Sequence, residues 1–172
     1  MKKHNGMRPQ DVVVLLKIIS LANQNWRYSD LAYLLNISQS EVSEALDRCK
    51  LAKLVDNKKK DVFRNSLLEF LIYGLKYVFP VQPGANVRGI PTAHSAKPIS
   101  NLIISDKDIY VWASADGTIR GQSIEPLYKT VPKSVQKDEK LYELLALIDV
   151  LRVGKSREIE LAKKELTKRI IL

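Results

Sequence analysis

The stretch Tyr28 to Leu46, YSDLAYLLNISQSEVSEAL, limits what this chain can fold into more than any other part of it. Two short helical patterns meet here with almost no connection between them. In the first, Leu31, Ala32 and Leu35 recur at helical spacing and give one apolar face. Ser29 stands just before them, where a hydroxyl can accept from the unpaired N–H groups of a first turn. Asn36 then closes the helix, since Asn enters the left-handed conformation more readily than most residues that carry a Cβ. Ile37 follows as a buried pivot, and Ser38 with Glu41 spells the S-x-x-E capping box that opens a second helix. On that helix Val42, Ala45, Leu46 and Cys49 face inward, while Gln39, Ser40, Ser43, Glu44, Asp47 and Arg48 are left pointing out.

A small residue, Ala32, lies four positions before Asn36; Ile37 follows the turn and Val42 lies six positions beyond it. In this spacing the stretch resembles a bacterial helix-turn-helix. SQSEVSEAL looks like the recognition helix of winged-helix regulators of the MarR-like kind. The resemblance runs from about Met7 to Arg64, roughly a third of the chain. It departs from the motif at Asn36, where Gly is usual, and in the acidic content of the second helix. What it implies is a cytoplasmic winged-helix transcriptional regulator, a homodimeric repressor whose two recognition helices reach successive major grooves of double-stranded DNA. Gln39, Ser40, Ser43 and Glu44 lie near the N-terminus of that helix, where base contact occurs. Gln suits adenine, Glu accepts from cytosine, and Ser suits several bases.

The text after the second helix fits a wing. Leu54–Val55 and Val62–Phe63 are short β-prone pieces around Asp56-Asn57-Lys58-Lys59-Lys60-Asp61, a hairpin with three lysines at its tip. Lysines are point charges suited to phosphate and carry no base information. Lys58, Lys59, Lys60 and Arg64 are therefore the expected phosphate contacts, with Arg27 and Arg48 beside them. Charge agrees with this placing. The chain carries a net +9 over 172 residues, and residues 1–64 hold 12 Lys+Arg against 7 Asp+Glu, whereas residues 65–172 hold 16 against 12. The excess is densest around the two helices, where an anionic partner would need it.

Other classes find little support. A single Cys excludes an intrachain disulfide, and with only His4 and His94 there is no zinc set, so no metal or other cofactor is expected. VVVLLKIISLA is interrupted by Lys17 and is too short to span a bilayer; the polar start MKKHNGMRPQ is unlike a signal peptide, which points to the cytoplasm and away from membranes. No Gly-rich phosphate loop, H-E-x-x-H or nucleophile elbow occurs, and no catalytic residue is assigned. His94 beside Ser95 lacks an orienting acid and is read as a hydrogen-bonded structural histidine. Asp106 and Asp108 lie in a turn-like piece without a second partner.

The whole chain reads as α+β, mainly α: a winged helix-turn-helix over 1–64, a linking or dimerisation helix over 65–79, a Pro-rich arm and small β-hairpin unit over 80–136, and a C-terminal αα-hairpin over 137–172. Arg8 to Ala22 forms a helix with Pro9 at its start, apolar on most sides; Trp26 anchors the connection that follows. Asn65 to Phe79 is one helix capped by Asn65 or Ser66, apolar nearly all round, and fit for a dimer interface or a monomer core. Pro80 to Ser100 has four prolines and two glycines in 21 residues, which predicts neither a long helix nor a central strand. Asn101–Ile104, Ile109–Ala113 and Ile119–Ile124 read as strands, the last two around an Ala115–Thr118 turn. Trp112, Tyr110 and Tyr128 suit a small core better than an effector pocket. Leu141, Leu144, Leu145, Ile148 and Leu151 stripe an amphipathic helix ended by Gly154; Ser156 caps the last helix, striped by Ile159, Leu161, Ala162, Leu166 and Ile170, with a Glu160–Lys164 spacing outside. A second reading follows: an antitoxin-like module in which residues 80–172 bind a protein partner through the arm and the Leu141–Leu151 stripe, while the N-terminal unit represses its own operon.

Overall fold

A computed structural model describes residues 5–104 and 108–172, so the basic tail Lys2, Lys3 and His4 and the acid Asp106 lie outside the described residues. The chain is α+β and mainly helical, 54% helix against 10% strand. Helix α1 (Pro9–Ser20) starts with Pro at its first position, and the Arg8 backbone N–H donates to Asp11 Oδ2 at 2.8 Å. It is buried on every side from Gln10 to Ile19, as its continuous apolar run requires. Two short helices, α2 (Tyr28–Leu35) and α3 (Gln39–Leu51), pack against it and against each other. Ser29 does not cap α2. The helix starts one residue earlier, and Asp30 takes the Arg27 N–H at 2.7 Å, leaving Ser29 exposed in the first turn.

After α3 the chain doubles back through one antiparallel bridge, Val55 to Val62, with Phe63 N–H donating to the Leu54 carbonyl at 2.9 Å. The helix expected over 65–79 is two: α4 (Arg64–Tyr73) and α5 (Leu75–Val78), parted at Gly74, a residue with poor helix propensity. Neither Asn65 nor Ser66 is the cap, since Phe63 precedes the first turn. Leu67, Leu71 and Leu75 are fully buried, whereas Tyr73 and Tyr77 are 72% and 73% exposed.

The Pro-rich stretch holds the largest departure from expectation. Asn86–Pro91 is a strand, β1, and it pairs with both others: β2 (Tyr110–Ala113) and β3 (Ile119–Ser123). β1 runs antiparallel to each, β2 and β3 pair in parallel, and the three close into a barrel. The Ala115–Thr118 turn therefore does not join an antiparallel hairpin. Closure depends on missing side chains: a Cβ at Gly89 would sit 2.1 Å from the Trp112 carbonyl oxygen, and one at Gly121 would sit 2.4 Å from that of Ile109. Asn101–Ile104 is not a strand; Ile99–Leu102 forms the short helix α6. A further short helix, α7 (Val131–Ser134), precedes α8 (Glu139–Val153) and α9 (Ser156–Ile171).

α8 is central, touching α1, α4, α5, α9 and the 3-10 turn Ala93–Ser95. Its predicted stripe is buried, and so are Ala146, Leu147, Asp149 and Val150, so the helix has no free apolar face between Leu144 and Leu151. At α9 the Lys155 N–H donates to Glu158 at 2.8 Å, and Ser156 is inside the helix instead of capping it. Ala162, Leu166 and Ile170 are fully buried while Ile159 and Leu161 are half-buried, and Glu160 pairs with Lys163 at 2.6 Å instead of Lys164. One hydrophobic core draws on all four sequence segments. Among the described residues no helix is long and apolar enough to cross a membrane.

Candidate nucleic-acid interface

The junction of α2 and α3 is built by short-range hydrogen bonds. Asn36 adopts the left-handed conformation (φ 53°, ψ 44°), and the Ile37 N–H reaches back to the Ala32 carbonyl at 3.0 Å. The capping box is complete: Ser38 Oγ accepts from the Glu41 N–H at 3.2 Å and Glu41 Oε2 accepts from the Ser38 N–H at 2.8 Å. Glu41 Oε1 also accepts from Gln10 Nε2 at 3.0 Å and from the Tyr128 hydroxyl at 2.7 Å. The Ser38 N–H, followed by the Tyr128 hydroxyl, lowers the Glu41 carboxyl to about 2, and the same bond raises the Tyr128 phenol. One carboxylate thus ties α3 to α1 and to a residue 87 positions along the chain.

Helical geometry divides α3 cleanly. Val42, Ala45, Leu46 and Cys49 are fully buried on α1 and α2, and burial pushes the Cys49 thiol up. Gln39, Ser40, Glu44 and Asp47 are exposed and Ser43 is half-buried on the opposite arc. Arg48 is the exception. It was expected outside, but it is buried and grips Asp11 with two donors, Nη2 to Oδ1 at 2.7 Å and Nε to Oδ2 at 2.9 Å. Its aliphatic stem places the guanidinium over α1, and the bond to Asp11 raises its pKa further. Arg48 therefore presents no cation to solvent.

The lysine turn is ordered by Asp56, whose carboxylate accepts from the N–H groups of Lys58 at 3.1 Å, Lys60 at 2.7 Å and Asp61 at 3.0 Å. Those backbone bonds, Asp61 first, hold its pKa low. Lys59 takes the left-handed conformation (φ 58°) and its ammonium pairs with Asp47 of α3. Lys60 donates to the Trp26 carbonyl at 2.9 Å and lies 4.0 Å from the centre of the Trp26 ring. Lys58 and Arg27 are exposed, with no acidic partner among the described residues. Arg64 is half-buried and donates to the Ile170 carbonyl at 2.7 Å, closing the end of α9.

Two cations that sequence reading missed join this surface. The Tyr128–Glu41 bond and a 3.4 Å contact from Asn36 Nδ2 to Ser134 Oγ hold residues 128–134 against the α2–α3 junction. Lys129 and Lys133, both exposed, are carried there. The only linear trace of this is the four-residue spacing of Lys129, Lys133 and Lys137; the pairing that locates them spans about ninety residues.

Elsewhere most polar groups are absorbed by structure, but His94 Nδ1 and Thr130 Oγ1 are buried without a hydrogen-bond partner among the described residues. His94 Nδ1 faces the buried Glu158 carboxylate at 3.9 Å, an acid that the sequence reading did not place there. His94 Nε2 lies 2.6 Å from the Asp108 carbonyl, and Ser95 Oγ accepts from the Tyr110 N–H at 2.9 Å. Trp112, Tyr110 and Tyr128 are engaged separately: Trp112 is buried and bonded to Asp149, Tyr110 packs edge-on to His94, and Tyr128 meets Glu41. No group of three metal-ligating side chains occurs among the described residues. Comparison with protein-family models, with curated proteins and with solved structures finds no match for this chain.

Proposed function

We propose that this chain is a winged-helix transcriptional regulator that binds double-stranded DNA through α3. The observation that carries the reading is the junction itself. A left-handed Asn36, a complete capping box and a buried Arg48–Asp11 clamp fix α3 from one side, and its first two turns present Gln39, Ser40, Ser43 and Glu44 on the other. Those groups match base edges in a major groove. The turn of Lys58, Lys59 and Lys60 is tied to the face where Lys59 pairs with Asp47, Arg27 stands at the start of α2, and Lys129 with Lys133 joins from the far segment. These would hold phosphates. Arg48 and Arg64 leave the contact set because their guanidinium groups are engaged inside the chain.

The protein acts as a homodimeric repressor in this reading, with the exposed Tyr73, Tyr77 and Val78 of α4 and α5 as the self-association face. A protein-binding arm draws less support: the Pro-rich stretch is stitched into the barrel and the Leu141–Leu151 stripe is consumed by the core.

Titration of genomic fragments at several salt concentrations tests the reading. Affinity for one fragment should exceed that for random DNA by about 10³-fold or more. Gln39→Ala should relax preference at one base step by roughly 1–3 kcal/mol, whereas Lys58–Lys60→Ala should weaken all sequences alike. A protein that never prefers any fragment sinks the regulator assignment. A monomeric mass in solution, unchanged by Tyr77→Glu, removes the dimer.

A further inference from the structure

On the outer face of the barrel two arginines stand opposite one another. The register of β1 and β3 pairs Arg88 with Arg120, and both are exposed. Like charges directly across a ladder destabilise it, and a neighbouring carboxylate or a bound anion would relieve the pair. Here no carboxylate lies within ion-pair reach of either guanidinium among the described residues. The next pair on the same face, Asn86 with Gln122, adds two amides, and Arg120 Nη2 is steadied by the Asn86 carbonyl at 3.2 Å. The face is thus rich in donors, and the exposed Asp108, just before β2 where Tyr110 pairs with Gln122, makes no ion pair with it among the described residues. The closest acid in the adjoining turn, Asp116, is turned to Gln136 Nε2 at 3.2 Å.

That last bond shows where the face lies. Gln136 is two residues beyond Ser134, which touches Asn36 in the turn between α2 and α3. Residues 128–137 carry Lys129, Lys133 and Lys137, all exposed. Exposed lysines therefore stand on the segment that is bonded at one end to the α2–α3 junction and at the other to the Asp116 turn of the barrel.

We propose that Arg88 and Arg120 form a phosphate clamp that takes the backbone of the same DNA duplex whose groove α3 enters, beyond the bases it reads. This rests on the DNA-binding reading above. Planar guanidinium groups suit phosphodiester oxygens, and a bound phosphate would neutralise the repulsion that the free barrel carries.

The full chain and its R88Q/R120Q variant, titrated against a random-sequence duplex of about 30 base pairs, test this. Over about 50 to 200 mM salt, the slope of log affinity against log salt should be shallower by about 1.8 in the variant, about 0.9 per lost contact. R88K/R120K should restore most of the slope. The free R88Q/R120Q protein should melt about 1–3 °C higher, because a repulsive pair is gone. An unchanged slope in R88Q/R120Q, while Lys58–Lys60→Ala lowers it, overturns the clamp and leaves the α3 reading standing. Failure of the unaltered protein to bind the duplex at low salt overturns both.

Discussion

Among the carboxylates buried in the described residues, Asp11 and Asp149 lie one in each half and are satisfied by opposite means. Asp11 of α1 meets a single side chain, Arg48 of α3, in a two-pronged ion pair. Asp149 of α8 meets three: Trp112 Nε1 at 2.6 Å, Thr92 Oγ1 at 2.7 Å and Arg152 Nη1 at 2.8 Å. Arg152 goes on to the carbonyls of Phe79 at 3.0 Å and Glu125 at 3.1 Å. The first arrangement is a clamp between two neighbouring helices. The second gathers a strand, the end of another strand, the central helix and two loops at one point. In the N-terminal half charge holds one helix in place; in the barrel half it decides how distant segments assemble.

The largest expected effects break each centre. Arg48→Ala and Asp149→Ala should each cost roughly 3–5 kcal/mol in urea unfolding, because each strands a buried partner. The difference should emerge on double replacement. Asp11→Leu with Arg48→Met removes both members of the pair and should recover all but about 1 kcal/mol, the cost of the Arg8 N–H losing its acceptor at the start of α1. Asp149→Leu with Arg152→Met should stay lower by about 2 kcal/mol or more, since Trp112 Nε1 and Thr92 Oγ1 keep no acceptor. Equal recovery in both would erase the distinction between clamp and hub.

Acid sharpens the contrast from another side. Glu41, held by the Ser38 N–H and Tyr128, sits at about 2 against an ordinary 4.5. A depressed folded value stabilises above 4.5, and that contribution is lost as pH falls towards 2. Asp149 is raised, burial being the chief cause, so its contribution is present below the ordinary value of 3.8 and is lost as pH rises through its folded value. Melting temperatures followed from pH 7 down to about 2 should fall on the acid side, with Glu41→Gln flattening that limb. An unaltered acid limb in Glu41→Gln would show that Glu41 does not fasten α3.

The same split governs what could be read from the sequence. Around α2 and α3 the determinants are neighbours: Asn36, Ser38 and Glu41 act over three to five residues, so spacing alone located them. Arg48 was misplaced because its partner lies 37 positions away and nothing local distinguishes it from a solvated helix cation. β1 was invisible for a related reason. Gly89 and Pro91 argue against a strand locally, and only closure on β2 and β3 turns the missing Cβ of Gly89 into a requirement. α8 looked amphipathic because Asp149 falls on its polar side by spacing, yet that acid faces the barrel and is buried. Lys129 and Lys133 belong with α3 only through bonds made by Tyr128 and Ser134.

A smaller effect is expected at Ser38. Its hydroxyl accepts the Glu41 N–H and donates to Glu41 Oε2 at 3.0 Å. Ser38→Ala should cost about 1 kcal/mol, the usual value of a lost N-terminal cap. Thermal unfolding reads it directly, and a loss above about 2 kcal/mol would mean that the cap also holds the contacts of Gln10 and Tyr128 to Glu41.

The smallest predicted change falls at Asn36, the residue between the two helices. Its φ of 53° is a conformation glycine adopts without steric cost, so Asn36→Gly relieves some backbone strain. Two terms oppose that gain. Glycine loses more entropy on folding, by about 0.4–1 kcal/mol, and the long contact from Asn36 to Ser134 Oγ disappears. The sum should lie within about 0.5 kcal/mol of zero, whereas Asn36→Ala should lose about 1–2 kcal/mol because a Cβ without a polar group gains nothing in that region. Chemical denaturation of the two variants side by side separates these outcomes. Equal losses in Gly and Ala would mean that the Ser134 contact, and with it the docking of residues 128–134, outweighs the turn geometry. The N-terminal helices and the barrel half would then be coupled at this residue as tightly as they are through Glu41.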